Sequence, residues 1–90
     1  MIFKLLSMFQ KTPFKPKQRY FIKTVTFYYI ATFVEENKGF LKFGDVVWIE
    51  NIGKWNDFVA QRPHLPNDIK YHRAPDLLIN QQAILDVTPW

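Results

Sequence analysis

The stretch TVTFYYIATFVEENKGFLKFGDVVWI, residues 24–49, decides the class of fold. It consists of two runs rich in aromatic and β-branched residues, which favour the pleated, half-buried surface of a sheet. Between the runs lies Asn37-Lys38-Gly39, and glycine accepts the positive φ that a tight hairpin turn requires. The stretch therefore predicts a long β-hairpin, and Gly44-Asp45 is expected to turn the chain into the strand Val46–Glu50.

Alternate residues of the first run differ in character, so the two faces of this strand differ. One face is fully apolar, whereas the other carries threonine, tyrosine and isoleucine, a mixture typical of a partly covered surface. We therefore predict a mainly β fold of the α+β type, a small OB-like or SH3-like antiparallel barrel or sheet whose second face is also covered. The residues expected to face the core are Val25, Phe27, Tyr29, Ala31 and Phe33.

The remaining segments are shorter and less decisive. Ile2–Phe9 has the spacing of a short amphipathic segment, and the prolines of Lys11–Arg19 predict an extended, solvated connector. Trp55–Ala60 fits either a short strand or one helical turn capped by Asn56. Residues 75–85 predict a C-terminal helix with proline at its first position, the alternative being a hairpin that turns at residues 80–82.

Ninety residues make one domain, because a chain of this length cannot bury two separate cores. We expect a basic N-terminal arm over residues 1–19 and a single β-rich domain over residues 20–90. The chain has no cysteine, so packing or a larger assembly has to provide the stability that disulfides give to many small domains.

The formal net charge is +4, and its distribution is polarised because no acidic residue precedes Glu35. Such a segment is either a solvated basic arm or a phosphate-contacting tail. Basic residues also alternate with aromatic ones near the first strand, the combination by which small β-barrels hold single-stranded nucleic acid. The candidate RNA contacts are Lys11, Lys15, Lys17, Arg19, Lys23, Lys42 and Lys54, and the candidate protein-interface residues are Phe3, Leu6, Phe9, Trp55 and Trp90.

The chain shows no pattern that predicts catalysis. His64 and His72 are separated without a metal-ligand rhythm, and Ser7, the one serine, has no acidic residue nearby in the sequence. The three glycines are isolated and match neither nucleotide-binding fingerprint. We therefore expect a non-enzymatic protein with no metal and no cofactor.

Several segments resemble the OB-fold small-subunit ribosomal protein family conventionally numbered seventeen. The resemblance covers about half of the chain and implies binding to ribosomal RNA through Lys11, Lys23, Lys42 and Lys54, with an organellar ribosome as the natural setting. The segments that carry it are Gln10-Lys11-Thr12, Tyr20-Phe21-Ile22-Lys23, Ala31 with Glu35-Glu36-Asn37, and Gly44-Asp45-Val46-Val47-Trp48-Ile49-Glu50.

The function predicted first is a structural subunit of a ribonucleoprotein that binds RNA phosphates and neighbouring proteins. The alternatives are an accessory subunit of a larger complex, such as a mitochondrial respiratory assembly, and a phage or bacterial inhibitor that masks a partner's surface. No run reaches the length of a transmembrane helix, and no secretory cleavage site is recognisable. We expect an intracellular protein, in the mitochondrial matrix or ribosome or otherwise in the cytoplasm.

Overall fold

The computed structural model describes residues 13–90 as a five-stranded antiparallel sheet with one short helix. The strands lie side by side in the order β4-β3-β2-β1-β5. The prediction of a small, mainly β fold is therefore confirmed. In chain order the elements are β1 (Arg19–Thr24), β2 (Tyr28–Asn37), β3 (Phe40–Ile49), α1 (Trp55–Ala60), β4 (Tyr71–Asn80), a 3₁₀ turn (Gln81–Ala83) and β5 (Ile84–Pro89).

The predicted hairpin is formed by β2 and β3. Lys38 and Gly39 both have positive φ, 54° and 87°, as a two-residue hairpin turn with the right-handed twist of its strands requires. The hairpin starts later than predicted, at Tyr28, because residues 24–27 form a separate turn between β1 and β2. There the Thr24 hydroxyl donates to the Phe27 carbonyl at 2.8 Å and accepts from the Phe27 N–H at 3.1 Å.

Gly44-Asp45 lies inside β3, so the prediction that it turns the chain into a new strand is wrong. Thr32 of β2 is opposite Gly44 and Ile30 is opposite Val47, which leaves one extra residue in β3. Asp45 takes a left-handed φ of 49°, as expected at a β-bulge. Both neighbouring strands pair with β3 on either side of the bulge, and this pairing keeps the strand continuous through a sequence that favours a turn.

One face of the sheet is closed by the sheet's own curvature, and we call it the curled face. Both edge strands reach it, since Ile79 of β4 and Ile84 of β5 pack on the same cluster. The bulge allows Phe43 and Val46, three residues apart on β3, to enter this cluster together. Its buried members are Phe14, Tyr20, Ile22, Ala31, Phe33, Leu41, Phe43, Val46 and Ile79.

The opposite face is closed by other parts of the chain, and we call it the covered face. Phe58 of α1 is fully buried on it, and Leu65, Ile69 and Trp90 pack around the same cluster. The predicted cover on the second face therefore comes from the chain itself. The buried members of this cluster are Phe21, Ile30, Val47, Ile49 and Phe58.

The segment Trp55–Ala60 is helical, which settles one of the alternatives left open by the sequence. Lys54 occupies the N-cap position and makes no side-chain capping hydrogen bond, so the prediction of a cap at Asn56 is wrong. A helix of only six residues is not stable in isolation. The burial of Phe58 against Phe21 and Trp90 is what holds α1 on the sheet.

The predicted C-terminal helix over residues 75–85 is wrong. Leu77 and Ile79 alternate along β4 and lie opposite Phe43 and Leu41, because pairing with β3 buries them at strand spacing. The Asn80 side chain then accepts from the Gln82 N–H and starts the 3₁₀ turn. A turn does occur where the alternative placed it, but β4 and β5 lie at opposite edges of the sheet and form no hairpin.

The predicted connector before β1 contains a core residue. The Phe14 ring lies 4.8 Å from that of Tyr20 and 5.5 Å from that of Phe33, between centroids. The amphipathic segment Ile2–Phe9 lies outside the described residues. Within residues 13–90, no helix has the length and apolar content needed to cross a membrane.

Candidate functional site

A groove of about 570 Å³ lies between the covered face of the sheet and the segment of residues 63–67. We call it the arginine groove. Ile30 and Val47 contribute its apolar base from the middle of the sheet. The polar and aromatic side chains that line it are Arg19, His64, Asn67, Tyr71, Arg73 and Trp90.

Arg19 is the most firmly held of these side chains. Its Nη1 donates to the Asp45 carbonyl at 2.8 Å and to the Thr32 hydroxyl at 2.9 Å, and Nη2 donates to the Ile30 carbonyl at 3.3 Å. Nη1 also forms an ion pair with Asp45 Oδ2 at 3.3 Å. Pro75 lies opposite Asp45 in the register and has no N–H to offer. Arg19 thus supplies a donor at the bulge and is fixed in place by it.

The other two arginines each lie against an aromatic ring. The Arg73 Cζ atom is 5.3 Å from the centroid of Tyr71, and the Arg62 Cζ atom is 5.9 Å from the centroid of Trp90. Arg62 Nη1 also donates to the Pro89 carbonyl at 3.4 Å, so this residue lies beside Trp90 but does not line the groove itself. A guanidinium that rests on a ring keeps its N–H donors along the edge of the plane, where a phosphate can reach them.

The arginine groove has a positive electrostatic character. Arg19 and Arg73 line it, and Arg62 lies beside its Trp90 wall, in a neighbouring depression formed with Thr88 and Pro89. Within residues 13–90 no acidic side chain lines it, and the carboxylate paired with Arg19, that of Asp45, points largely into solvent with 75% of the side chain exposed. A concave surface with cations and low-dielectric walls concentrates anions more effectively than the same charges on a flat surface.

A second groove, of about 440 Å³, lies at the β1–β5 side of the same face, and we call it the aromatic groove. The Phe21 ring is 5.7 Å from Tyr28 and 5.2 Å from Trp55, between centroids. Lys23 and Asp86, opposite one another in the β1–β5 register, also line it. Two residues predicted for different roles, Lys23 as an RNA contact and Trp55 as an interface residue, thus lie in one groove.

The other lysines predicted as RNA contacts are not brought together. Lys15 and Lys17 are exposed in the turn that precedes β1, and the Lys17 N–H bonds to the Phe33 carbonyl. Lys42 is exposed on β3 opposite Glu35, far along the hairpin, and Lys54 precedes α1. Lys11 lies outside the described residues. The predicted set is therefore dispersed over the domain, and Arg19 alone of it lines the arginine groove.

The predicted interface residues have different surroundings. Phe3, Leu6 and Phe9 lie outside the described residues. Trp90 packs on Phe58 at 5.2 Å and forms a wall of the arginine groove, whereas the Trp55 ring is 43% exposed. Three further exposed apolar residues, not predicted from the sequence, are Val34 on β2, Phe40 on β3 and Leu78 on β4, the last opposite Lys42 in the register.

The two histidines lie in different places. His64 lines the arginine groove, whereas His72 stacks on Trp48 at 4.3 Å on the opposite side of the sheet, in a row with Tyr29 and Phe27. Burial raises the pKa of Tyr29 above 10.0. No group of three side chains among histidines, aspartates and glutamates in residues 13–90 is arranged to hold a metal ion.

The sequence did not indicate that His64, Tyr71 and Arg73 line the arginine groove, or that Arg62 lies against its Trp90 wall. The signal available was residue type, since arginine is scarce in this chain and bidentate phosphate recognition favours it over lysine. The residues are far apart in sequence, however, and it is the strand order that brings them together. No protein-family model matches the chain, and the comparison with curated proteins gives no match either.

Proposed function

We propose that the protein is a non-enzymatic RNA-binding subunit of a ribonucleoprotein that holds single-stranded RNA along the arginine groove. The observation that carries this proposal is a groove that Arg19 and Arg73 line, that no acidic residue of 13–90 lines, and whose Trp90 wall carries Arg62 against its ring. This arrangement suits a polyanion better than a neutral or acidic protein surface.

Each part of the groove has a separate task in this proposal. Arg62 and Arg73 bind phosphate oxygens with the N–H donors that their aromatic contacts leave accessible. Tyr71 and Trp90 provide flat surfaces beside those cations, and unpaired bases stack on such surfaces without sequence preference. Arg19 contributes charge, but its hydrogen bonds to the bulge make it mainly a structural residue.

The basic N-terminal arm extends the same function. Lys15 and Lys17 are exposed just before β1, on the chain that leads directly into Arg19. Additional phosphates of a longer RNA would be neutralised there, with Lys11 further along the arm. The ribosomal setting suggested by the family resemblance is compatible with this mode of binding.

The test compares RNA binding by two double variants that lose the same charge. R62Q/R73Q removes the donor of Arg73 in the groove and that of Arg62 against its Trp90 wall, and K38Q/K70Q neutralises two exposed lysines that do not line the groove. Fluorescence anisotropy with a labelled 12-nucleotide RNA of mixed sequence gives Kd at several salt concentrations. Loss of two phosphate contacts should reduce the slope of log K against log salt by about 1.4 and weaken binding at least ~10-fold at low salt.

The control variant K38Q/K70Q should change Kd much less, by about threefold at most, because long-range attraction between exposed charges is screened. Equal weakening by both double variants would show that only net charge matters and would refute the groove as the binding site. Absence of any affinity for RNA at low salt would refute the function itself.

A second candidate function, a subunit docked on another protein, is supported by the exposed apolar residues Val34, Phe40 and Leu78. The Leu78 side chain is 68% exposed, and it lies on β4, an edge strand of the sheet. An edge of this kind can accept a further strand from a partner. Size-exclusion chromatography of the isolated chain tests it, since a stable monomer that remains soluble at high concentration would contradict an obligate protein–protein interface.

A further inference from the structure

The aromatic groove has a shape and chemistry different from those of the arginine groove. Its volume of about 440 Å³ lies within the range of small-molecule sites, and Phe21, Tyr28 and Trp55 give it flat aromatic surfaces. Because Trp55 is only partly covered, part of its ring remains available for stacking. These features suit a planar ring system.

The charged side chains that line the aromatic groove are one cation and one anion. Lys23 of β1 and Asp86 of β5 are opposite one another on the face that also carries Phe21 and Thr88. Among the described residues the one ion pair joins Arg19 to Asp45, so Lys23 and Asp86 are not held together by a salt bridge. A carboxylate next to the stacking surface repels phosphate, which makes this groove unsuitable for the RNA backbone.

The hydrogen-bonding capacity of the pair selects among the bases. A carboxylate only accepts and can take two parallel N–H donors, whereas a lysine ammonium only donates. Guanine presents two adjacent donors, N1–H and the N2 amino group, next to the O6 acceptor. On that edge adenine and cytosine present one amino group next to a ring-nitrogen acceptor, and uracil presents one N–H between two carbonyl acceptors, so each would place an acceptor against a carboxylate oxygen. The donor pattern of guanine therefore matches this groove best.

We propose that the aromatic groove binds an unpaired guanine base, with its N1–H and N2 amino groups on the Asp86 carboxylate, its O6 near Lys23 and its ring stacked on Trp55. This inference rests on the proposed function in that the base belongs to RNA whose backbone follows the arginine groove. Both grooves open on the covered face of the sheet, with Phe21, Phe58 and Trp90 packed together between them.

The experiment measures Kd by anisotropy for three labelled ten-nucleotide RNAs, namely oligo(U), oligo(U) with one central guanine and oligo(U) with one central adenine. The guanine-containing RNA should bind at least about 10-fold more tightly than the other two, as expected for one bidentate base contact. Replacing that guanine by inosine, which lacks the N2 amino group, should remove a large part of the preference.

The variant D86N tests the role of the carboxylate, and D76N is its matched control. Both substitutions remove one exposed negative charge from a strand at the edge of the sheet, but Asp76 lies on β4 and does not line the aromatic groove. D86N should reduce the preference for guanine to about twofold or less without weakening the binding of oligo(U), whereas D76N should retain the preference. Circular dichroism of both variants verifies that the fold is intact.

The outcomes separate this inference from the proposed function. Equal affinity of the wild-type protein for all three RNAs would refute the guanine site while leaving RNA binding in the arginine groove intact. Binding of free GMP that D86N abolishes, in a protein without affinity for RNA, would support the guanine site and refute the proposed function. Failure to bind both RNA and GMP would refute both proposals.

Discussion

The curled face and the covered face of the sheet bury similar side chains but are closed in different ways. On the curled face, strands from both edges bend around one cluster, and Ile22, Leu41 and Phe43 have no solvent exposure. On the covered face, a six-residue helix, a loop and Trp90 are laid over the sheet. Three of the chain's aromatic residues, Phe21, Phe58 and Trp90, form the contact between sheet and cover.

This difference explains why the candidate sites lie on one face only. A sheet whose two edge strands pack on one shared cluster fills that side with its own side chains and leaves little space between them. A short helix and a proline-containing loop cannot match the whole sheet surface, so grooves remain at their margins. The arginine groove and the aromatic groove are two such margins, one on either side of the cluster around Phe58.

The largest expected effect comes from truncating the centre of the curled face. Phe43→Ala should lower the free energy of unfolding by about 3–5 kcal/mol, because it removes a fully buried ring that contacts Phe14 and Phe33. Phe58→Ala on the covered face should cost a similar amount, because its ring is equally buried. Urea unfolding followed by tryptophan fluorescence measures both values, against a total stability of roughly 5–15 kcal/mol.

The milder pair Phe43→Leu and Phe58→Leu separates stability from binding. Each substitution should lower the free energy of unfolding by about 1 kcal/mol or slightly more, since leucine largely conserves the side-chain volume. RNA affinity should fall only for Phe58→Leu, because Trp90 rests on Phe58 and forms a wall of the arginine groove. A loss of affinity in a folded Phe43→Leu protein would contradict the division of tasks between the two faces.

An intermediate effect is expected at Arg19, where the covered face meets the bulge of β3. Arg19→Met should lower the free energy of unfolding by about 1–3 kcal/mol, because the carbonyls of Ile30 and Asp45 lose a charged donor. Asp45→Asn is the control and should cost less than about 1 kcal/mol, since it removes only an exposed ion pair. Equal costs would show that the ion pair, rather than the bonds to the carbonyls, is the stabilising interaction.

The smallest effect concerns Tyr29, on the side of the sheet opposite the grooves. Burial raises its pKa in the folded chain above the ordinary 10.0, so below pH 10 the protonated phenol is present in both states and the stability is complete. Above pH 10 the unfolded chain releases this proton first, and the free energy of unfolding falls until the pH passes the folded pKa. Tyr29→Phe should reduce that fall between pH 9 and 11 in urea titrations.

The matched control for this measurement is Tyr71→Phe, which removes a hydroxyl from an exposed tyrosine on β4. The free energy of unfolding of Tyr71→Phe should fall above pH 10 as much as that expected for the wild-type protein. An alkaline decrease that is unchanged in Tyr29→Phe would indicate that other groups cause it.

The hairpin could be predicted from the sequence because its determinants are local. Lys38-Gly39 adopts the required positive φ values, and the alternation around Ala31 and Phe33 places these residues in the core as expected. Val25, predicted to face the core by the same alternation, is 85% exposed, because it lies in a turn that Thr24 stabilises before the strand begins. A threonine that bonds to its own backbone neighbours is difficult to distinguish from a strand threonine by pattern alone.

The C-terminal region could not be predicted because its local signals were in conflict with its tertiary pairing. Pro75 is a good first residue of a helix, but it is also acceptable in an edge strand opposite a bulge. Pairing of β4 with β3 buries Leu77 and Ile79, which an isolated helix would leave partly in water. The gain from that burial outweighs the small intrinsic preference for a helix.

By itself the sequence determined the mainly β class, the hairpin turn, the apolar side of β2 and the excess of positive charge, since all of these depend on residue type and on neighbours within a few positions. Only the tertiary structure decided where the positive charge is concentrated. Arg19 and Arg73 are separated by 54 positions in the sequence, and only the order of the strands and the packing of residues 63–67 bring them to one groove, with Arg62 beside its Trp90 wall. A concave site requires contacts between distant segments, and no local pattern specifies them.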